Sequence, residues 1–121
     1  IVGGGSVVHQ FVRIGAHCMI GGGSRITQDV APFVKLGGSP PRLAGVNTIG
    51  LERRGFAAPT VAAIEGAYRL FFRKGLIVSQ AVERIRAELT GPLIDEFCGF
   101  ITSAKRGICR YARDADEADS E

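Results

Sequence analysis

The sequence predicts a mixed β/α fold in which the end of a parallel β-helix is followed by a small carboxyl-terminal helical bundle. Three observations carry this expectation. Aliphatic residues recur at period six, as Val2, Val8, Ile14, Ile20 and Ile26. Two glycine triplets, Gly3-Gly4-Gly5 and Gly21-Gly22-Gly23, stand 18 positions apart. After Pro59 the apolar spacing changes to the 3.6-residue period of a helix.

The hexapeptide column comes first. A β-branched residue once in six suits a coil whose side chain must point inward, and glycine frees the neighbouring corner from steric limits. Short side chains (Ser6, Val12, Cys18, Ser24, Val30) follow each aliphatic residue by four positions. This is the hexapeptide signature of a β-helix. Three such units make one triangular coil, so residues 18 apart stack at about 4.8 Å. Val2 is thereby expected under Ile20, Val8 under Ile26, Gln10 under Gln28 and Ser6 under Ser24. Residues 1–31 form fewer than two coils, whereas a solenoid needs several repeats to bury a continuous core. With Ile1 rather than Met at the start, the amino-terminal edge is expected to be a cut end, with further chain upstream.

Residues 32–56 are expected to be a linker that ends the solenoid, because Pro32 and the run Gly37-Gly38-Ser39-Pro40-Pro41 disfavour helix and central strand alike. Residues 57–110 then form the helical domain. Its first helix, over about 60–74, buries Val61, Ile64, Tyr68, Phe71 and Phe72, carries Arg69, Arg73 and Lys74 near its end, and stops at Gly75. Ser79 is the expected N-cap of a second helix with Val82, Ile85 and Leu89 inward. A third helix, over about 92–106, starts at Pro92 and presents Leu93, Phe97, Phe100 and Ile101 to the core. Residues 111–121 are an acidic tail with little to bury, expected to be disordered.

Composition bounds the function. The 121 residues suffice for one modest domain, and no apolar run reaches the length of a membrane-spanning helix. No basic stretch leads into an apolar block, so no secretory signal is recognisable. Cys18, Cys98 and Cys109 are spaced for neither a disulfide framework nor a zinc site, which points to a reducing cytoplasm. The net charge of +3 divides into +7 over residues 1–110 and −4 over the tail. The main body should therefore attract phosphates, an acidic carrier protein or nucleic acid.

Few residues carry recognisable chemistry. His9 replaces the glycine of its hexapeptide and points outward, either to contact substrate or act as a base, or simply as a solvated or interface histidine. His17 falls in another column, which disfavours a two-histidine metal site within one chain and leaves one between subunits open. Met19 and Gly22 suit an apolar slot or merely the repeat geometry. Arg53-Arg54 forms a paired guanidinium able to grip a diphosphate, although such pairs are also ordinary surface. Lys105, Arg106 and Arg110 form a further basic cluster. There is no phosphate-binding loop, nucleophile elbow or nucleic-acid module.

Taken together, Val8-His9-Gln10-Phe11, Ile14-Gly15-Ala16-His17, Gln28-Asp29-Val30-Ala31-Pro32-Phe33, Gly45-Val46-Asn47 and, above all, Gly50-Leu51-Glu52-Arg53-Arg54-Gly55-Phe56 resemble one family. It is the UDP-N-acetylglucosamine O-acyltransferases that begin lipid A synthesis in Gram-negative bacteria. The resemblance runs from residue 1 to Arg110. It implies a left-handed β-helix and a cytoplasmic homotrimer with active sites between subunits. It also implies transfer of a 3-hydroxyacyl chain from acyl carrier protein to the 3-hydroxyl of UDP-N-acetylglucosamine, without cofactor or metal, nucleic acid or membrane insertion.

Position by position, the resemblance assigns His9 and Gln10 to the sugar nucleotide and Asn47, Arg53 and Arg54 to its uridine-diphosphate end. It assigns Met19 and Gly22 to the region that measures acyl-chain length. The family's general-base histidine lies upstream of the position of Ile1. Neither His9 nor His17 replaces it, so this stretch alone is expected to be inactive. Ile49 stands where an acidic residue is common, and residues 37–41 lack a frequent histidine. Two other readings stay open: a non-catalytic assembly or carrier-binding module, and a related sugar-nucleotide N-acyltransferase.

Overall fold

The computed structural model describes residues 1–8, 10–38, 42–74, 76–104 and 107–109. His9, the helix stop at Gly75, the Lys105/Arg106/Arg110 cluster and the acidic tail lie outside these residues.

Stacking in the solenoid follows the hexapeptide column. β1 (Val7–Val8) pairs in parallel with β3 (Arg25–Ile26), Val8 opposite Ile26. Val2 forms a parallel bridge with Ile20, as the 18-residue repeat requires. Ser6 and Ser24 also stack, with the Ser24 amide donating to Ser6 Oγ at 3.2 Å.

The next coil is shorter. Ile14 pairs with Val30, and β2 (Met19–Ile20) pairs in parallel with β4 (Val34–Gly37), Ile20 opposite Leu36. These partners are 16 residues apart, so two residues are missing between Ile26 and Val30. Val30, expected in the column of short side chains, instead takes the buried aliphatic position. Asp29 sits at the shortcut. Its carboxylate accepts from the Arg13 amide at 2.9 Å, supplying the acceptor that a shortened strand lacks.

Residues 32–56, expected to be a linker, carry regular structure. β4 extends the parallel stack, and β5 (Arg42–Val46) pairs with it antiparallel, giving the order β2-β4-β5. Val34 and Leu36 are buried in alternation along β4, and Leu43 and Val46 are the buried residues of β5, whose register with β4 shifts at Lys35/Leu36. Of the Gly/Pro run, Gly37 closes β4, and Ser39, Pro40 and Pro41 lie outside the described residues. A helix, α1 (Thr48–Arg53), follows.

The helical part differs from expectation in three details. Its first helix divides into α2 (Ala58–Tyr68) and a π-helical turn (Arg69–Arg73), along which Val61, Ile64, Tyr68, Phe71 and Phe72 are all buried. The next helix, α3 (Val78–Glu88), begins one residue before Ser79, so Ile77 occupies the cap and Ser79 caps nothing. The last, α4 (Pro92–Ser103), ends earlier than expected and buries Ile94 and Cys98 beside Phe97 and Ile101. Leu93 and Phe100 are only partly covered. Phe71, Phe72 and Phe97 meet edge to face, with ring centroids 4.7 to 6.4 Å apart.

Two contacts join bundle and solenoid. After α4 the chain returns, and Asp29 pairs with Ile108. Arg13 reaches the other way, its guanidinium 4.4 Å from the Phe100 ring centre. Nη2 of the same side chain donates to the Phe100 carbonyl at 3.2 Å and to Ser103 Oγ at 3.0 Å. Among the described residues, no helix is long and apolar enough to cross a membrane.

Candidate functional site

The site is built around α1 and the corner of the coil beneath it. Leu51 is fully buried and anchors the inner face of α1 in the core. Asn47 caps the helix, its Oδ1 accepting from the Gly50 amide at 3.3 Å. Its Nδ2 donates to the His17 carbonyl at 3.0 Å, and its own amide donates to the Phe33 carbonyl at 2.7 Å. Gly50 is required by this arrangement, because a Cβ there would stand 2.8 Å from Asn47 Cγ.

His17 supports the same corner. Its φ of 58° is left-handed, unusual for a residue other than glycine. The ring stacks on Phe33 at 6.0 Å and meets the edge of Phe56 at 5.4 Å. Phe56 lies just past α1, so both ends of the α1 segment are fastened to this histidine, one through its carbonyl and one through its ring. Arg53, in the last turn, and Arg54, at the C-cap, are left exposed side by side.

The other sequence candidates lie elsewhere. Gln10 is exposed in the turn after β1, and His9 is outside the described residues. Met19, 46% exposed in β2, and Gly22, exposed at the following corner, belong to the solenoid. Among the described residues, no hydrogen bond or ion pair links Gln10, Met19 or Gly22 to Asn47 or the arginines. Asn47 and the two arginines therefore belong to one element, at the N-cap and the carboxyl end of α1, and the rest lie on the coil. Sequence reasoning missed His17 as the support of α1. Its one legible signal was the pair of aromatic residues, Phe33 and Phe56, flanking the strands and helix that return to it.

Among the described residues, no three His, Cys, Asp or Glu side chains cluster as a metal site. The cysteines are not nucleophiles in waiting. Burial pushes the Cys18 thiol up from 9.0 to about 11, and burial raises Cys98 and Cys109 as well. Cys18 donates its proton to the Ala31 carbonyl at 2.9 Å, a packing role.

Residues 29–109 match the family described as UDP-N-acetylglucosamine O-acyltransferase, domain 2. The acyl-[acyl-carrier-protein]–UDP-N-acetylglucosamine O-acyltransferase of Myxococcus xanthus is 40% identical over 111 residues, and that of Burkholderia orbicola is 44% identical over 115. Each alignment covers 91% of this chain, but only 43% and 44% of those proteins. Among solved structures, the Acinetobacter baumannii enzyme superposes with a TM-score of 0.87 at 37% identity, over 91% of this chain and 43% of that one. The UDP-N-acetylglucosamine acyltransferase of Bacteroides fragilis gives 0.84 at 39%, over 87% and 42%. The likeness establishes the fold as the end of a left-handed β-helix with its helical cap. This chain spans less than half the length of the relatives it matches, and it belongs to the UDP-N-acetylglucosamine O-acyltransferase family.

Proposed function

We propose that the chain is the carboxyl-terminal part of an enzyme that moves a 3-hydroxyacyl chain from acyl carrier protein to the 3-hydroxyl of UDP-N-acetylglucosamine, at the start of lipid A synthesis. The observation that carries this reading is the fastened α1 segment with two adjacent arginines outward. A guanidinium donates two parallel hydrogen bonds to a phosphate, so two of them carried on one anchored helix suit a diphosphate.

In this reading Arg53 and Arg54 grip the diphosphate, and Asn47 holds them in place while lining the uridine end. His9 and Gln10 contact the sugar, and Met19 and Gly22 limit the acyl chain. The assembly is a cytoplasmic homotrimer, and the +7 of residues 1–110 draws in the acidic carrier protein. The acceptor hydroxyl attacks the thioester carbonyl and the carrier thiol leaves. His17 is not the base for this step, because its ring is wedged between Phe33 and Phe56.

The test is calorimetric titration of UDP into the full chain and its Arg53→Ala/Arg54→Ala variant. Loss of about 4 kcal/mol or less, spread over two charge-assisted contacts, is expected in the variant. Unchanged UDP affinity would sink the assignment.

A further inference from the structure

A second cationic site stands away from α1, and its case is independent of the function proposed above. A cavity of about 550 Å³ opens where the π turn faces α3. Arg69, Arg73 and Lys74 line it from one element and Arg84 from the other, over an apolar floor that includes Leu70 and Leu89. Glu88 is its one carboxylate, and it is already held by Arg84 at 3.3 Å. Among the described residues, Arg69 and Lys74 have no carboxylate partner.

The π turn is what gathers these charges. In an α-helix, residues five apart point about 140° away from each other. Here the Lys74 amide donates to the Arg69 carbonyl at 3.2 Å, a bond across five residues. That wider turn brings Lys74 nearer to the side of Arg69 than an α-helix would, and both line the same cavity. Compensation of the helix dipole accounts for a cation at the end of one helix, but not for convergence of Arg84 from a second helix on the same opening.

We propose that this cavity binds a small phosphate-bearing anion, with Arg69 and Lys74 as its principal ligands and Arg84 closing the far side. Phosphate chemistry could come free in solution or from a lipid headgroup. Several cations at short range suit a multiply charged oxyanion better than a single carboxylate, because each guanidinium can donate twice.

Inorganic pyrophosphate is titrated into the full chain and into an Arg53→Gln/Arg54→Gln variant that lacks the paired arginines of α1. Amide shifts are followed at Gly66 and Leu89. Saturable shifts at both positions are expected in both proteins, with affinity weakened about tenfold or more in an Arg69→Gln/Lys74→Gln variant. An Arg25→Gln/Lys35→Gln variant, which removes the same charge from the solenoid, should bind as before. If the two double variants weaken binding equally, diffuse charge explains it and the site is refuted. It is also refuted if a short polyglutamate peptide binds there as tightly as pyrophosphate. Binding to phosphatidylglycerol vesicles that is lost in Arg69→Gln/Lys74→Gln, without binding of pyrophosphate, would identify the headgroup as the source of the phosphate. Binding to neither probe overturns the proposal.

Discussion

The side-chain amide of Asn47 donates to the carbonyl of His17 at 3.0 Å, across 30 positions of sequence. The oxygen of the same amide caps α1 at Gly50. One side chain thus begins the helix and fixes it to the coil, which sets where Arg53 and Arg54 stand. Its contribution to any ligand runs first through this positioning.

Asn47→Ala removes both the cap and the tether and should destabilise the chain by about 2 kcal/mol. Asn47→Ser keeps a capping oxygen but is too short to reach His17, so roughly half of that loss should return. Urea midpoints at constant slope measure it. Equal loss in the two variants would mean that the tether alone matters.

Gly15 and Gly4 should respond unequally to alanine. A Cβ at Gly15 would lie 2.6 Å from Pro32 Cα, which is backbone and cannot swing away, whereas nothing lies within 4 Å of a Cβ at Gly4. Gly15→Ala is expected to cost about 1–3 kcal/mol, and Gly4→Ala close to none. Thermal melts of the two variants decide it. A Gly15→Ala protein as stable as the parent would show that the coils can slide apart.

Arg13 couples solenoid to bundle through the Phe100 ring, the Phe100 carbonyl and Ser103. Its nearby carboxylate, Asp29, is 3.7 Å from Nε. Because the Arg13 side chain is 47% exposed, this ion pair adds little and the packing dominates. Arg13→Ala should cost about 1–2 kcal/mol and speed amide exchange at the end of α4. Arg13→Lys should recover less than half, since an ammonium cannot cover the ring and donate in the same fork. Exchange rates that do not change in α4 would contradict the coupling.

Buried Cys18 makes stability depend on alkaline pH. The folded thiol, at about 11 against an ordinary 9.0, holds its proton more tightly than the unfolded one. Its contribution is therefore complete below pH 9 and declines as pH rises toward 11, by on the order of 2–3 kcal/mol. Cys18→Ser should flatten the fall in stability over that window relative to the parent. Parallel pH profiles for the two proteins would rule out this thiol as the source. A disulfide reagent at pH 8 should also leave folded Cys18 unmodified.

The sequence by itself determined the solenoid and the helical stretches, because each rests on local periodicity. Period six placed Val8 under Ile26 and Val2 under Ile20, and period 3.6 placed Ile64, Phe71 and Phe97 inside. The specific run at residues 47–56 also identified the family. Tertiary structure decided what depends on chain segments meeting from a distance. At the two-residue shortcut before Val30, Asp29 supplies an acceptor to the Arg13 amide from 16 residues away. The strands Val34–Gly37 and Arg42–Val46 were hidden by the Gly/Pro composition between them, and they are defined by pairing with β2 and with each other. Ser79 lost its capping position because the helix begins at Val78, a boundary that local propensity leaves uncertain by a residue or two. The role of His17 was equally invisible, since neither its carbonyl nor its ring has a partner until Asn47, Phe33 and Phe56 arrive from later in the chain. Periodicity is a property of neighbours, whereas those contacts exist only after the coil and α1 have closed on each other.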